Sequence, residues 1–230
     1  MFLKNNASIC KVLIALLLIV SSVFGYSSDR VKDNLLAFYD FRITKGALVK
    51  DRSNTGTPLD LKIENLQNVE RSSGRLKVLG STLIRSIRPA SKISKAIKRS
   101  GEVTLEAWIQ PEKLNQSGPS RIVTISGNST NRNITLGQIN SQYDVRVRTS
   151  ETNDNGLPSM SSKDKRVSLE LTHIVYTRKE NGKVNLYING SLSNSQSIVG
   201  DTKNWDLSYR LALANEISNG RPWLGSYYLV

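Results

Sequence analysis

From Thr172 to Ser191 the chain reads THIVYTRKENGKVNLYINGS. Ile174 and Tyr176 alternate with Val175 and Thr177, Asn181-Gly182 follows, and Val184, Leu186 and Ile188 then share one face ahead of Asn189-Gly190. A period of two belongs to a strand, and Asn-Gly tolerates the positive φ of tight hairpin turns. The stretch is predicted to be a β-hairpin turned at Asn181-Gly182, with the other strands arranged around it.

The same alternation recurs along the chain. Val103, Leu105, Ala107 and Ile109 fall on one face, Glu102, Thr104, Glu106 and Trp108 on the other, and Pro111 closes the strand. Leu35–Phe41 reads as a buried first strand, and Leu59–Ile63 alternates behind a turn-rich loop at residues 50–58. Further strands are expected at Leu76–Leu79, Thr82–Ile84, Arg121–Ile125, Asn133–Ile139, Asp144–Arg148, Arg210–Ala214 and Trp223–Val230, with the longest loop at Thr149–Lys165. Only Ser91–Arg99 departs: Ile93, Ala96 and Ile97 recur at helical spacing opposite Lys92, Lys95, Lys98 and Arg99, so a short amphipathic helix ending at Gly101 is expected. Short strands bounded by regular turn signals indicate an all-β fold of two antiparallel sheets packed face to face.

Composition adds where such a domain would work. Lys4 and Lys11 precede VLIALLLIVSSVF, too short for the ~20 residues of a membrane span and shaped like an export signal. Residues 1–25 are therefore read as a cleaved signal helix, 26–34 as a lead-in and 35–230 as one domain. After cleavage no membrane span is expected, which places the chain in the periplasm, on the cell surface or outside the cell. Cys10, the only cysteine, lies in the signal, so the mature chain would have no disulfide, thiolate metal site or cysteine nucleophile. The net charge is +13, and since only two cations leave with the signal, the domain itself is basic and suited to anionic partners.

The hairpin THIVYTRKENGKVNLYING resembles the signature of bacterial laminin-G-like domains of the concanavalin A-like lectin/glucanase superfamily. LLAFYDF with DRSNTGTPLDL, VTLEAWIQP, and NWDLSYRLALANE with RPWLG resemble the same group in the same order. The resemblance runs from Leu35 to Val230 and implies a jelly-roll sandwich. Relatives carry a further C-terminal segment, so a shortened last strand with an unpaired edge is expected.

Glycosidases on this superfold resemble one another in a Glu-x-Asp-x-Glu strand. Here Glu102 and Glu106 flank Thr104, and Cα atoms four apart on a strand stand ~13 Å from each other. The bland reading is two charged residues on a polar strand face. His173, the only histidine, lacks a G-x-S-x-G partner motif and reads as structural. Laminin-G-like relatives often bind calcium at a loop, and Asp51, Ser53 and Asn54 offer oxygens for it; a plain Asx turn accounts for the same residues. Trp205, Tyr209, Tyr143 and Tyr227 are the candidates for stacking sugar rings, against core packing, which is the reading for Trp223. Arg85, Arg88, Lys92, Lys95, Lys98 and Arg99 form the densest basic region, either a polyanion patch or a solvated helix face. No nucleic-acid motif accompanies it, so specific nucleic-acid binding is not expected.

The resulting expectation is an exported, non-catalytic module that contacts a glycan or an anionic surface polymer. The alternatives are a glycoside hydrolase using Glu102 and Glu106, or a structural envelope domain without a small ligand.

Overall fold

The computed structural model describes residues 32–163 and 165–230; the expected signal at residues 1–25 lies outside them. In chain order the strands are β1 (Leu48–Val49), β2 (Leu61–Ile63), β3 (Val69–Ser72), β4 (Arg75–Val78), β5 (Ile84–Ser86), β6 (Val103–Pro111), β7 (Gln116–Ser126) and β8 (Arg132–Asn140). They continue as β9 (Gln142–Val147), β10 (Met160–Ser161), β11 (Thr172–Arg178), β12 (Lys183–Ile188), β13 (Ser191–Ser197), β14 (Arg210–Leu213) and β15 (Gly225–Leu229). One sheet runs β1-β2-β5-β14-β7-β8-β9-β10, the other β13-β12-β11-β6-β15-β4-β3. Every pairing is antiparallel. These are the two antiparallel sheets expected from the alternation, consistent with the jelly-roll sandwich that the resemblance implies.

The hairpin sits where predicted, with Ile174 opposite Ile188 and Tyr176 opposite Leu186, all buried between the sheets. Its turn differs. Only Gly182 has positive φ there, at 83°, and the Asn181 side chain accepts from Lys183 N, closing a three-residue loop. The two-residue turn is the next one: Asn189 and Gly190 have φ of 50° and 76°, which joins β12 to β13 with Ile188 facing Ser191. The helix α1 (Ser91–Ser100) ends as expected, with Gly101 at φ 68° donating its N–H to Ile97 O.

The expected first strand at Leu35–Phe41 is not a regular one. Tyr39 and Val230 exchange two backbone hydrogen bonds of 2.8 and 3.0 Å, but Phe41 adopts φ 52° and turns the chain out of the extended region. The unpaired edge expected at the C-terminus is also not found. β15 lies between β6 and β4, and the edges of that sheet are β3 and β13.

Candidate functional site

Alternation gives the seven-stranded sheet one face turned to the core and one turned outward. On β6, Ala107 and Ile109 are fully buried while Thr104 is exposed and Glu106, Trp108 and Gln110 are half-buried. On β11 the outward residues are His173, Val175 and Thr177; on β12 they include Asn185 and Tyr187. Register then lines up Leu192, Tyr187, Val175 and Glu106 across β13, β12, β11 and β6, a row of about 14 Å at ~4.8 Å per strand. The neighbouring row sets His173 opposite Trp108.

These two rings stack, with centroids 4.3 Å apart and planes 15° from parallel. Glu106 Oε1 accepts from the Trp108 indole N–H at 3.1 Å and lies 3.0 Å from His173 Nε2. The backbone N–H of His173 donates to the Asn189 side chain at 2.8 Å, so the turn after β12 also holds that end of β11. Gln110 extends the polar strip, accepting from the Tyr228 hydroxyl at 3.0 Å and donating to Leu169 O. The result is a part-exposed indole whose orientation is fixed by a carboxylate and an imidazole, on a rigid sheet, beside further aromatic and amide groups. Such a surface can hold a flat apolar ring face and hydrogen-bond its rim.

The aromatic residues singled out from sequence are elsewhere. Trp205, Tyr143 and Tyr227 are buried and offer no ring face to solvent. Trp205 donates its indole N–H to Arg148 O, and the Tyr227 hydroxyl bridges Ile122 O and Ala214 N. Trp205 and Tyr227 can sit in the core because their polar tips reach backbone groups. Tyr209 is part-buried, and a Cβ at Gly127 would lie 2.7 Å from its ring. Trp223 is fully buried and donates to Gln138.

The carboxylates separate in role. Glu102 lies exposed between α1 and β6, its backbone N–H donating to Ser100 Oγ and its backbone carbonyl accepting from that hydroxyl, whereas the Glu106 carboxylate is drawn sideways to His173 on β11. A retaining glycosidase needs two carboxyls about 5 Å apart, and Thr104 stands between these two.

The loop expected to offer calcium oxygens already holds a cation. Asp51 Oδ2 accepts from Lys92 Nζ at 2.6 Å, and the same ammonium reaches Thr55 O at 3.0 Å and Ser53 Oγ at 3.5 Å. Asp51 also accepts from the backbone N–H groups of Phe38, Ser53 and Leu59. Asn54 is exposed at φ 56°. Among the described residues, no group of His, Cys, Asp and Glu side chains is arranged to hold a metal. Burial alone would raise the Asp51 pKa, but the Lys92 and backbone hydrogen bonds outweigh it and hold the carboxyl below its ordinary 3.8. A carboxyl that is more acidic when folded stabilises the fold above its unfolded value and ceases to do so as pH falls through its folded one. Asp51→Asn is therefore expected to lower the melting temperature at pH 7 and to narrow its gap to the wild type between about pH 4 and pH 2, measured by calorimetry. Calcium at millimolar level is expected to leave the wild-type melting temperature unchanged.

Half of the basic region is committed as well. Lys92 bonds Asp51, Lys98 bonds Trp205 O and Arg85 bonds Glu64 at 2.7 Å, leaving Lys95, Arg99 and Arg88 as exposed cations.

The described residues thus form a two-layer antiparallel sandwich with a part-aromatic outward face on the seven-stranded sheet. A family profile for the concanavalin A-like lectin/glucanases superfamily matches residues 89–228. The chain belongs to this superfamily. Among solved structures it is similar to domain 4 of AbnA, a GH43 extracellular arabinanase from Geobacillus stearothermophilus, in complex with arabinotriose (17% identity, TM-score 0.55, covering 84% of this chain and 91% of that one). It is also similar to the binding domain of botulinum neurotoxin DC in complex with rat synaptotagmin II (15% identity, TM-score 0.62, 86% and 49%). A third is the botulinum neurotoxin type C structure described by its dependence on two ganglioside molecules for cell entry (13% identity, TM-score 0.58, 88% and 49%). The chain thus spans about half the length of the neurotoxin chains. At these identities the likeness is one of fold. No curated protein matches the sequence. No helix among the described residues is long and apolar enough to cross a membrane.

Proposed function

We propose that the protein is an exported, non-catalytic binding module that holds carbohydrate on the outward face of its seven-stranded sheet. The single observation that carries this reading is the Trp108–His173–Glu106 cluster: an aromatic residue left part-exposed on a strand's polar face and locked by two side chains. A binding surface gains from such locking because the ordering cost is met on folding rather than on binding. Tyr187 and Asn185 on β12 and Gln110 on β6 supply the flanking contacts. The arabinotriose complex and the ganglioside dependence named for two structural neighbours support carbohydrate as the class of ligand. Bond cleavage is not part of this reading, since Glu106 holds Trp108 and His173 and Thr104 takes the middle position of the Glu-x-Asp-x-Glu pattern.

The test is a glycan array probed with the purified protein, with calcium and with a chelator, alongside a reducing-end assay on the polysaccharides that bind. At least one glycan class is expected to be retained equally under both conditions, with no sugar released. Release of reducing ends that stops in Glu106→Gln would replace this reading with the hydrolase. Retention of no glycan class would overturn it.

A further inference from the structure

β4 turns Leu76 and Val78 to the core, so Arg75 and Lys77 lie on the outward face of the sheet that carries Trp108. Register sets Lys77, Ser226 and Gln110 in one row across β4, β15 and β6. Two residues along, β4 brings Arg75 and β6 brings Trp108 into the next row of this face. The Arg75 side chain reaches toward β6, its Nε donating to Ser226 Oγ at 3.2 Å on the strand between them. That bond carries the guanidinium over β15, about one strand spacing of ~4.8 Å from the strand of Trp108 and Gln110.

The other two nitrogens of the group are free. Nη1 and Nη2 of Arg75 have no partner among the described residues and are open to solvent. No carboxylate among the described residues lies within ion-pair distance of Arg75, whereas its neighbour Lys77 is engaged by Glu112 at 3.4 Å. Nη1 and Nη2 form a planar fork that matches the two oxygens of a carboxylate. The acid of the aromatic cluster lies on the other side: Glu106 is drawn to His173 on β11, away from β15. Trp108 thus has an acid toward β11 and an uncompensated cation toward β15, so a sugar with one negative group has one favoured orientation on it. We propose that the ligand of this face is an acidic glycan, a hexuronate whose ring lies on the Trp108 indole and whose carboxylate sits on the Nη fork of Arg75. The inference rests on the reading of that face as the carbohydrate site and adds the class of carbohydrate it takes.

Calorimetric titration with trigalacturonate, trimannuronate and triguluronate, each beside its methyl ester, separates the charge from the ring. At least one acid is expected to bind about tenfold or more tighter than its ester. Arg75→Gln removes charge and fork and is expected to bring that acid down to the affinity of the ester, with the ester unchanged. Arg75→Lys keeps the charge without the fork and is expected to fall between the two. Arg75 is half-buried and makes one side-chain hydrogen bond, so circular dichroism is expected to show the fold intact in both variants. Wild-type acid affinity in either variant overturns the proposal. So does an equal loss in the remote pair Lys95→Ala/Arg99→Ala on α1, which would assign the preference to net charge. Equal affinity for acid and ester, in a protein that retains the ester or a neutral glycan through Trp108, overturns this inference alone and leaves the carbohydrate face standing. Retention of no glycan, charged or neutral, overturns both.

Discussion

Replacing Trp108 with alanine is expected to weaken binding of the array-identified glycan by about thirtyfold, which is ~2 kcal/mol, while the fold stays intact. The size follows from what the indole does. It is the largest side chain on the outward face of β6, it is stacked by His173, and its N–H is tied to Glu106. Truncation removes the platform and releases the two groups that fix it. The inward neighbours Ala107 and Ile109 keep their packing, so the melting temperature should fall by only a few degrees. Trp108→Phe retains a stacking face without the N–H and is expected to lose about threefold to tenfold. Trp205→Ala provides the contrast: that ring is buried and bonded to Arg148 O, so its loss should show as unfolding. Calorimetric titration of each variant, with circular dichroism as the folding check, reads both quantities. Full affinity in Trp108→Ala would move the site off this face.

The fold was legible because burial in a sandwich follows the strand period directly. Val103, Leu105, Ala107 and Ile109 could be assigned to one side before any strand was placed, and Ile174, Tyr176, Val184 and Leu186 behave the same way. The site was less legible, although its signal was present. Trp108 already stood on the polar side of an alternating strand, the one position where a large aromatic residue has no core to fill. Attention to aromatic residues near loops selected Trp205, Tyr143 and Tyr227 instead, and all three proved to be core. Loop proximity does not report burial in this chain, because loops are packed inward: Trp205 follows β13 in a connection whose residues bond to α1 and to the end of β9. The pairing of His173 with Trp108 needed the β6–β11 register, which joins residues 65 positions apart and is not written in either strand alone. The Asp51 loop was half legible: its Asx turn, with Ser53 N–H donating to Asp51, follows from local sequence. Its oxygens are those a calcium ion would take, but the cation arrives from Lys92 on α1, on a different element.

The second large effect lies beneath the opposite sheet. Glu216 is fully buried and accepts from Arg121 Nε at 2.7 Å and from the Ser126 hydroxyl, with Arg132 Nη1 at 3.8 Å. Arg121 and Arg132 are themselves buried, at 1% and 0% side-chain exposure. Burial and then the neighbouring Arg121 charge push the Arg132 guanidinium down to about 9, against the pull of Glu216. Asp144 adds a second acid to this layer, but it is engaged by Arg146 at 2.9 Å and by the hydroxyls of Ser159 and Ser161. Glu216 is thus the carboxylate bonded to Arg121 and nearest to Arg132, with the more distant Asp144 charge adding to the support of Arg132. Glu216→Gln removes its charge with little change in volume, and breaking a buried pair in this way costs about 3–5 kcal/mol. For a domain of this size that corresponds to a melting temperature lower by roughly 10 °C or more. The change should appear in urea denaturation as a lower midpoint with an unchanged slope. Restoring balance from the other side is expected to recover part of the loss: Arg132→Met in the Glu216→Gln background removes one stranded cation, since a charge is costly here for being unpaired rather than for being replaced. If Glu216→Gln proves within 1 kcal/mol of wild type, the arginines are compensated by other groups. If the double variant is no more stable than the single one, Arg132 is not the residue Glu216 serves.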